Sequence, residues 1–105
     1  MSQFAVYRNR NPRTCRVFPL LVDVQADLLE DLRTRVVVPL LRAPAPGAFP
    51  MTHLTPSVTF EGLGYILVTP QLAGIARAHL GTHAGSVAND WKVIWNALEF
   101  LVRGC

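Results

Sequence analysis

The chain predicts a mainly β fold with one C-terminal α-helix: a small, strongly twisted antiparallel sheet or partly open barrel, with the helix packed on it. Three observations carry this. Short runs rich in Val, Leu, Ile and Phe recur from Gln3 to Val68, and turn residues punctuate them. After Ser86 the apolar spacing changes from strand-like to helical. The 105 residues, half of them hydrophobic, suffice for one domain around one core.

The elements follow in order. Phe4 and Val6 share a face, so residues 3–7 read as a first strand. Residues 9–12 contain two asparagines and a proline and read as a turn. Residues 15–24 read as a second strand, whose continuous apolar run suits burial on both faces or a dimer contact. Pro19 has no N–H for a ladder and should mark an edge or bulge. Residues 27–33 could form one helical turn with Asp27 as its cap. Residues 36–38 are three valines and make a third strand, closed by Pro39.

Residues 43–50 are too proline-rich for regular structure and form a loop. Leu54, Val58 and Phe60 mark a fourth strand. Glu61, Gly62, Leu63 and Gly64 make a hairpin turn, and residues 65–68 return from it. Residues 70–80 read as irregular backbone or a short strand. From Ser86 the chain is helical: Val87, Trp91, Ile94, Trp95, Leu98, Leu101 and Val102 form one apolar stripe. Ser86 or Asn89 can cap it, Asp90 suits its positive end, and Arg103 its negative end. Gly104 suits a left-handed stop. The two tryptophans are expected in the core.

Only 16% of residues are charged, which leaves little polar surface to cover the apolar material. A two-fold dimer that hides apolar surface is therefore expected. Net charge is +3, and Arg8, Arg10, Arg13 and Arg16 sit close together, with Arg33, Arg35 and Arg42 following. A solvated loop fits best, an acidic protein partner next, and nucleic acid last. No aromatic residue interleaves the arginines as a stacking platform needs. Cys15 lies in a strand-like stretch and reads as a small buried hydrophobe, while Cys105 ends the chain as an exposed thiol. No basic region followed by an apolar signal segment opens the chain, and no apolar run reaches membrane-spanning length. The cytoplasm is expected, where both thiols stay reduced.

Little here resembles a catalytic centre. His79 and His83 are four apart, but Gly81 lies between them and no acid or cysteine is adjacent, so no metal site is expected. Ser86 lies near His83 without the strand–turn–helix signature of a nucleophile. Asp23, Asp27, Glu30 and Asp31 read as a solvated charge network beside the arginines. A metal-free ribonuclease would need a base, an acid and a phosphate-binding arginine in one pocket, and no spacing singles out such a set.

One stretch is more specific. Val22-Asp23-Val24-Gln25, continued by Asp27 and then by Arg35 and Val38-Pro39-Leu40, resembles the CcdB family of plasmid-maintenance toxins. The resemblance extends over most of the chain: Gln3, Phe4, Val6 and Tyr7 at the start, Thr69, Leu72 and Ala73 in the middle, Gly81, then Asn96 and Ala97, and Gly104 as the penultimate residue. It implies an SH3-like β structure with a long C-terminal helix, assembled as a homodimer. It implies a toxin that enters between the two A subunits of DNA gyrase and traps the enzyme on cleaved DNA, without catalysing a reaction and without a cofactor. A labile antitoxin would neutralise it by wrapping a disordered, acidic tail around the dimer.

On the same resemblance, Leu28, Leu29, Arg103, Gly104 and Cys105 face gyrase, and Arg10 and Arg13 attract the antitoxin. No direct nucleic-acid contact and no membrane are implied. The departures lie at the end of the helix. The family ends in Trp-Gly-Ile, where this chain has Arg103-Gly104-Cys105, and Glu99 stands where the family has an asparagine. Two other readings share the fold: an endoribonuclease toxin, and a non-toxic relative that only binds antitoxin.

Overall fold

A computed structural model describes residues 3–43 and 52–104. Seven strands form one curled antiparallel sheet, a half-barrel, in the order β4-β5-β3-β2-β1-β7, with β6 also on β3. They are β1 (Ala5–Asn9), β2 (Leu20–Asp23), β3 (Thr34–Arg42), β4 (Ser57–Phe60), β5 (Leu63–Leu67), β6 (Ala73–Ala76) and β7 (Leu80–Ser86). One helix, α1 (Trp91–Arg103), follows. The mainly β expectation with a C-terminal helix holds.

Register explains the core. Val6 pairs with Val22, and Val22 with Val38; all three are fully buried. Beside that row, Leu20 pairs with Leu40, and Leu40 with Leu67. These side chains share the face that α1 covers with Ile94 and Ala97. Cross-strand aliphatic pairs of this kind are the unit of sheet stabilisation. The opposite face carries a smaller cluster of Ala5, Tyr7, Leu21, Val37 and Leu80.

The first strand starts later than the alternation implies. Phe4 has φ 70°, in the left-handed region and outside the extended one, so β1 begins at Ala5. Two backbone hydrogen bonds hold Phe4 there: its N–H donates to Asp23 O at 2.6 Å, and its carbonyl accepts from Val87 N–H at 3.0 Å. β2 is also shorter than expected. Cys15 lies in a turn and is half-buried, so the strand and buried-core readings for it are corrected. The Asn11 carbonyl accepts from Thr14 and Cys15 N–H, and Asn9 Nδ2 donates to Thr14 Oγ1 and Phe18 O. Local polar partners win the backbone before a neighbouring strand can.

β3 runs straight through Pro39 rather than closing there. The Pro39 carbonyl accepts from Val68 N–H at 3.0 Å, so its missing N–H faces the same side. There the partner changes from β6 to β5 across the 3-10 turn Thr69–Gln71, and the ladder is already interrupted. The hairpin between β4 and β5 is tighter than expected: Glu61 (φ 52°) and Gly62 (φ 75°) make a two-residue turn, and Leu63 and Gly64 are already in β5.

β7 has no sequence signal. It reads Leu-Gly-Thr-His-Ala-Gly-Ser, pairs with β1 alone at the sheet edge, and shifts register twice along that pairing. Gly81 permits this approach, since a Cβ there would fall 2.5 Å from Arg8 O. Gly81→Ala is therefore expected to destabilise the fold by about 1–3 kcal/mol, read as a lowered urea midpoint. α1 starts at Trp91 after the 3-10 turn Ala88–Asp90, later than Ser86. Ser86 Oγ accepts from Ala88 N–H, and Asp90 Oδ2 accepts from Thr59 N–H at 3.0 Å, tying the helix start to β4. Gly104 stops the helix at φ 76°, its N–H donating to Phe100 O. The proline-loop reading of residues 44–50 lies outside the described residues.

Candidate functional site

The site begins with a buried ion pair. Asp23 and Arg35 lie on the face opposite α1, both fully buried. Arg35 Nε donates to Asp23 Oδ2 at 2.8 Å, and Nη2 approaches the same oxygen at 2.6 Å. Asp23 Oδ1 accepts from Gln25 N–H at 3.0 Å. Gln25 Oε1 accepts from Val36 N–H, and Gln25 Nε2 donates to Leu29 O at 2.8 Å. The Asp23 reading as part of a solvated charge network is thus corrected. Asp23 is fully buried against Arg35, and the Val24 N–H bond to Val36 O continues the β2–β3 pairing beside it. Burial first, and the Asp23 carboxylate second, raise the Tyr7 hydroxyl above its ordinary range.

That network sets out the loop after β2. Residues 26–33 are all exposed, and the 3-10 turn Asp27–Leu29 sits at the start. Leu28 is 94% exposed and Leu29 48%. Asp27 does not cap its own turn; its Oδ1 accepts from Gln3 N–H instead. From the other side, Arg77 Nη1 donates to Glu30 O at 2.8 Å. Leu28 thus stands in solvent on backbone tied at several points.

The end of α1 forms a second candidate surface. Arg103 and Gly104 are exposed, and Cys105 lies outside the described residues. Arg103 Nη1 donates to Glu99 Oε1 at 3.2 Å across one helical turn. The two departures from the family pattern are therefore partners of one another. Trp91 and Trp95 are about half-exposed, at 48% and 46%, which corrects the core reading for them. Trp95 meets the core ring of Phe4 in a T-shaped contact, centroids 6.3 Å apart. Trp91, Trp95, Leu98 and Val102 recur at steps of four, three and four along one flank of α1. Val102 on this seam is 82% exposed. Leu98 packs against the core, while Trp91, Trp95 and Val102 leave an apolar flank in solvent beside it.

A groove of about 530 Å³ opens on the smaller-core face. Its floor includes Leu21, Val37, Pro39 and Ile75, and Arg10 and His79 line it. No acidic side chain lines it. Arg13 is exposed on the adjoining turn, where its N–H donates to Asn11 Oδ1. His83 packs on Tyr7 and His53 on Phe100. Among the described residues no group of three or more His, Cys, Asp or Glu could hold a metal.

Sequence reasoning named Leu28 and Leu29 but did not assign Gln25 and Arg35 to the support beneath them. The Asp–Val–Gln spacing was the available signal, because alternation puts Asp23 and Gln25 on one face. Nothing in the sequence marked Arg77, which lies in the segment read as irregular backbone or a short strand; the short strand is β6. Compared with known proteins, the chain matches the family model described as CcdB protein over residues 3–104. No curated protein matches it.

Proposed function

Because this chain belongs to the CcdB family, we propose that it is the toxin of a toxin–antitoxin pair: a cytoplasmic homodimer that binds the A subunit of DNA gyrase and holds the enzyme on cleaved DNA. The single observation that carries this is a family match over nearly the whole chain, residues 3–104, which takes in Leu28 and Leu29 and reaches Gly104. Leu28 and Leu29 project from the loop, and Arg103 and Gly104 lie exposed at the end of the helix; Cys105 is assigned with them. Fixed secondary structure behind both segments lowers the ordering cost of binding. Two-fold symmetry would present two copies of each to a symmetric gap between gyrase subunits. On this reading the protein binds and does not catalyse, and it needs no cofactor.

The groove supports the antitoxin part of the reading. An apolar floor with Arg10 at its margin, Arg13 nearby and no carboxylate suits a segment that is both apolar and acidic. Raised salt would weaken that capture. No helix among the described residues is long and apolar enough to cross a membrane.

The seam on α1 supports the homodimer. Trp95→Glu places a charge in its centre and is expected to weaken dimerisation by about 100-fold. Sedimentation velocity across a dilution series reads this directly; an unchanged dimer would move the interface elsewhere.

The function itself is tested with purified protein, supercoiled DNA and gyrase from the same host. Linear DNA that appears only with both proteins is the expected result. A folded dimer that yields none over a broad concentration range would overturn the poison reading. It would favour a relative that only binds antitoxin, or, if RNA is cut without gyrase, a ribonuclease.

A further inference from the structure

We propose that Arg77 is a positioning residue for the Leu28–Leu29 loop, holding the far side of that loop in the shape its target meets. The inference rests on the reading of Leu28 and Leu29 as target-facing. The loop has an unusual burden. Leu28, Leu29 and Leu32 are all exposed, and none of residues 26–34 is buried. A segment without a core of its own keeps one shape only through the groups that tie it down.

Among the described residues, ties reach the loop from the β2 side, from the start of the chain and from the connection between β6 and β7. Gln25 Nε2 donates to Leu29 O from the β2 side, and Gln3 N–H donates to Asp27 Oδ1 from the start of the chain. The far side is gripped from the connection between β6 and β7. Thr34 pairs with Ala76 at the end of the β3–β6 ladder, which brings Arg77 level with Arg33. Arg77 N–H donates to Arg33 O at 2.8 Å and extends the ladder by one bond. Its guanidinium then reaches back over the loop, Nη1 donating to Glu30 O at 2.8 Å. That bond spans 47 residues of sequence.

The backbone bond survives any substitution except proline, so a side-chain variant isolates the latch. Arg77 is exposed and belongs to neither apolar cluster, so its loss opens no cavity. What it changes is the fraction of time the loop spends in one conformation. Affinity falls in proportion to that fraction.

The test compares Arg77→Met and Arg77→Lys with the parent dimer. Amide exchange is measured in residues 28–32 of the free protein, and affinity is measured for the gyrase A subunit. Arg77→Met is expected to speed exchange in the loop about tenfold while the β-sheet amides keep their protection. It is expected to weaken gyrase binding by a similar factor. Arg77→Lys, which still donates to a carbonyl, should recover most of both. Unchanged exchange overturns the latch. Faster exchange with unchanged affinity overturns the positioning role, as does a loss of affinity accompanied by weakened protection throughout the sheet and not relieved by lysine. If the parent protein itself fails to bind gyrase, the proposed function fails, and loop exchange still decides the latch.

Discussion

Arg35→Met is expected to lower stability by about 3–5 kcal/mol, a large share of the roughly 5–15 kcal/mol typical of a domain. Arg35 and Asp23 are both fully buried, with the guanidinium against the carboxylate at 2.6 and 2.8 Å. Methionine fills much of the volume but leaves a carboxylate in the interior with no cation beside it. The cost comes from that stranded charge rather than from the lost contact. Asp23→Leu should be comparably damaging for the converse reason. The double variant Asp23→Leu/Arg35→Met should recover much of the loss, because it removes both charges together. Urea unfolding of the three variants gives the cycle. Additive losses in the double variant would show that the pair is not a coupled unit. The Leu28 loop should also loosen in both single variants, since Asp23 Oδ1 bonds the amide of Gln25, and Gln25 bonds Leu29 O.

The second large effect is on binding. Leu28→Asp is expected to weaken capture of the gyrase A subunit by about 100-fold or more, with an unchanged unfolding midpoint. At 94% exposure Leu28 contributes almost nothing to folding, so a charge there costs little in the free protein. In a complex the same charge would be desolvated without a partner. A central apolar anchor carries about 2 kcal/mol per copy, and the proposed homodimer would present two. The comparison variant is Arg103→Trp, which restores the aromatic that the family carries before its last two residues. It should tighten binding if the anchor is the only element lost. Arg103 is paired with Glu99 on an exposed helix turn, so breaking that pair costs only about 0.3–0.5 kcal/mol of stability. Calorimetric titration with the A subunit reads both variants. Full affinity in Leu28→Asp would remove the loop from the interface.

The regular elements were legible where a physical pattern is local. The Glu61–Gly62 hairpin and the Gly104 helix stop follow from turn chemistry and helical period, and both occur. The site was legible only in part. Leu28 and Leu29 were identified through resemblance, and their exposure agrees with a contact role without testing it. The short β2 and the unexpected β7 show where local reasoning fails. Residues 15–19 are apolar enough for a strand, but Asn9, Asn11 and Thr14 bond the backbone first. β7 is weakly apolar, and it is a strand because β1 offers an open edge and Gly81 lets the two chains approach.

By itself, then, the sequence determined the mainly β class, the C-terminal helix and its stop, and the family through Val-Asp-Val-Gln and its companions. These depend on neighbours a few residues apart, or on residue identity alone. Only the tertiary structure decided that Asp23 is buried against Arg35 rather than solvated, and that Trp91 and Trp95 lie half-exposed on a flank of α1. It also decided that Arg77 reaches a loop far away in sequence. The physical reason is common to all three. Burial and long-range hydrogen bonds are set by which strands become neighbours, and a one-dimensional pattern carries that only where register forces it.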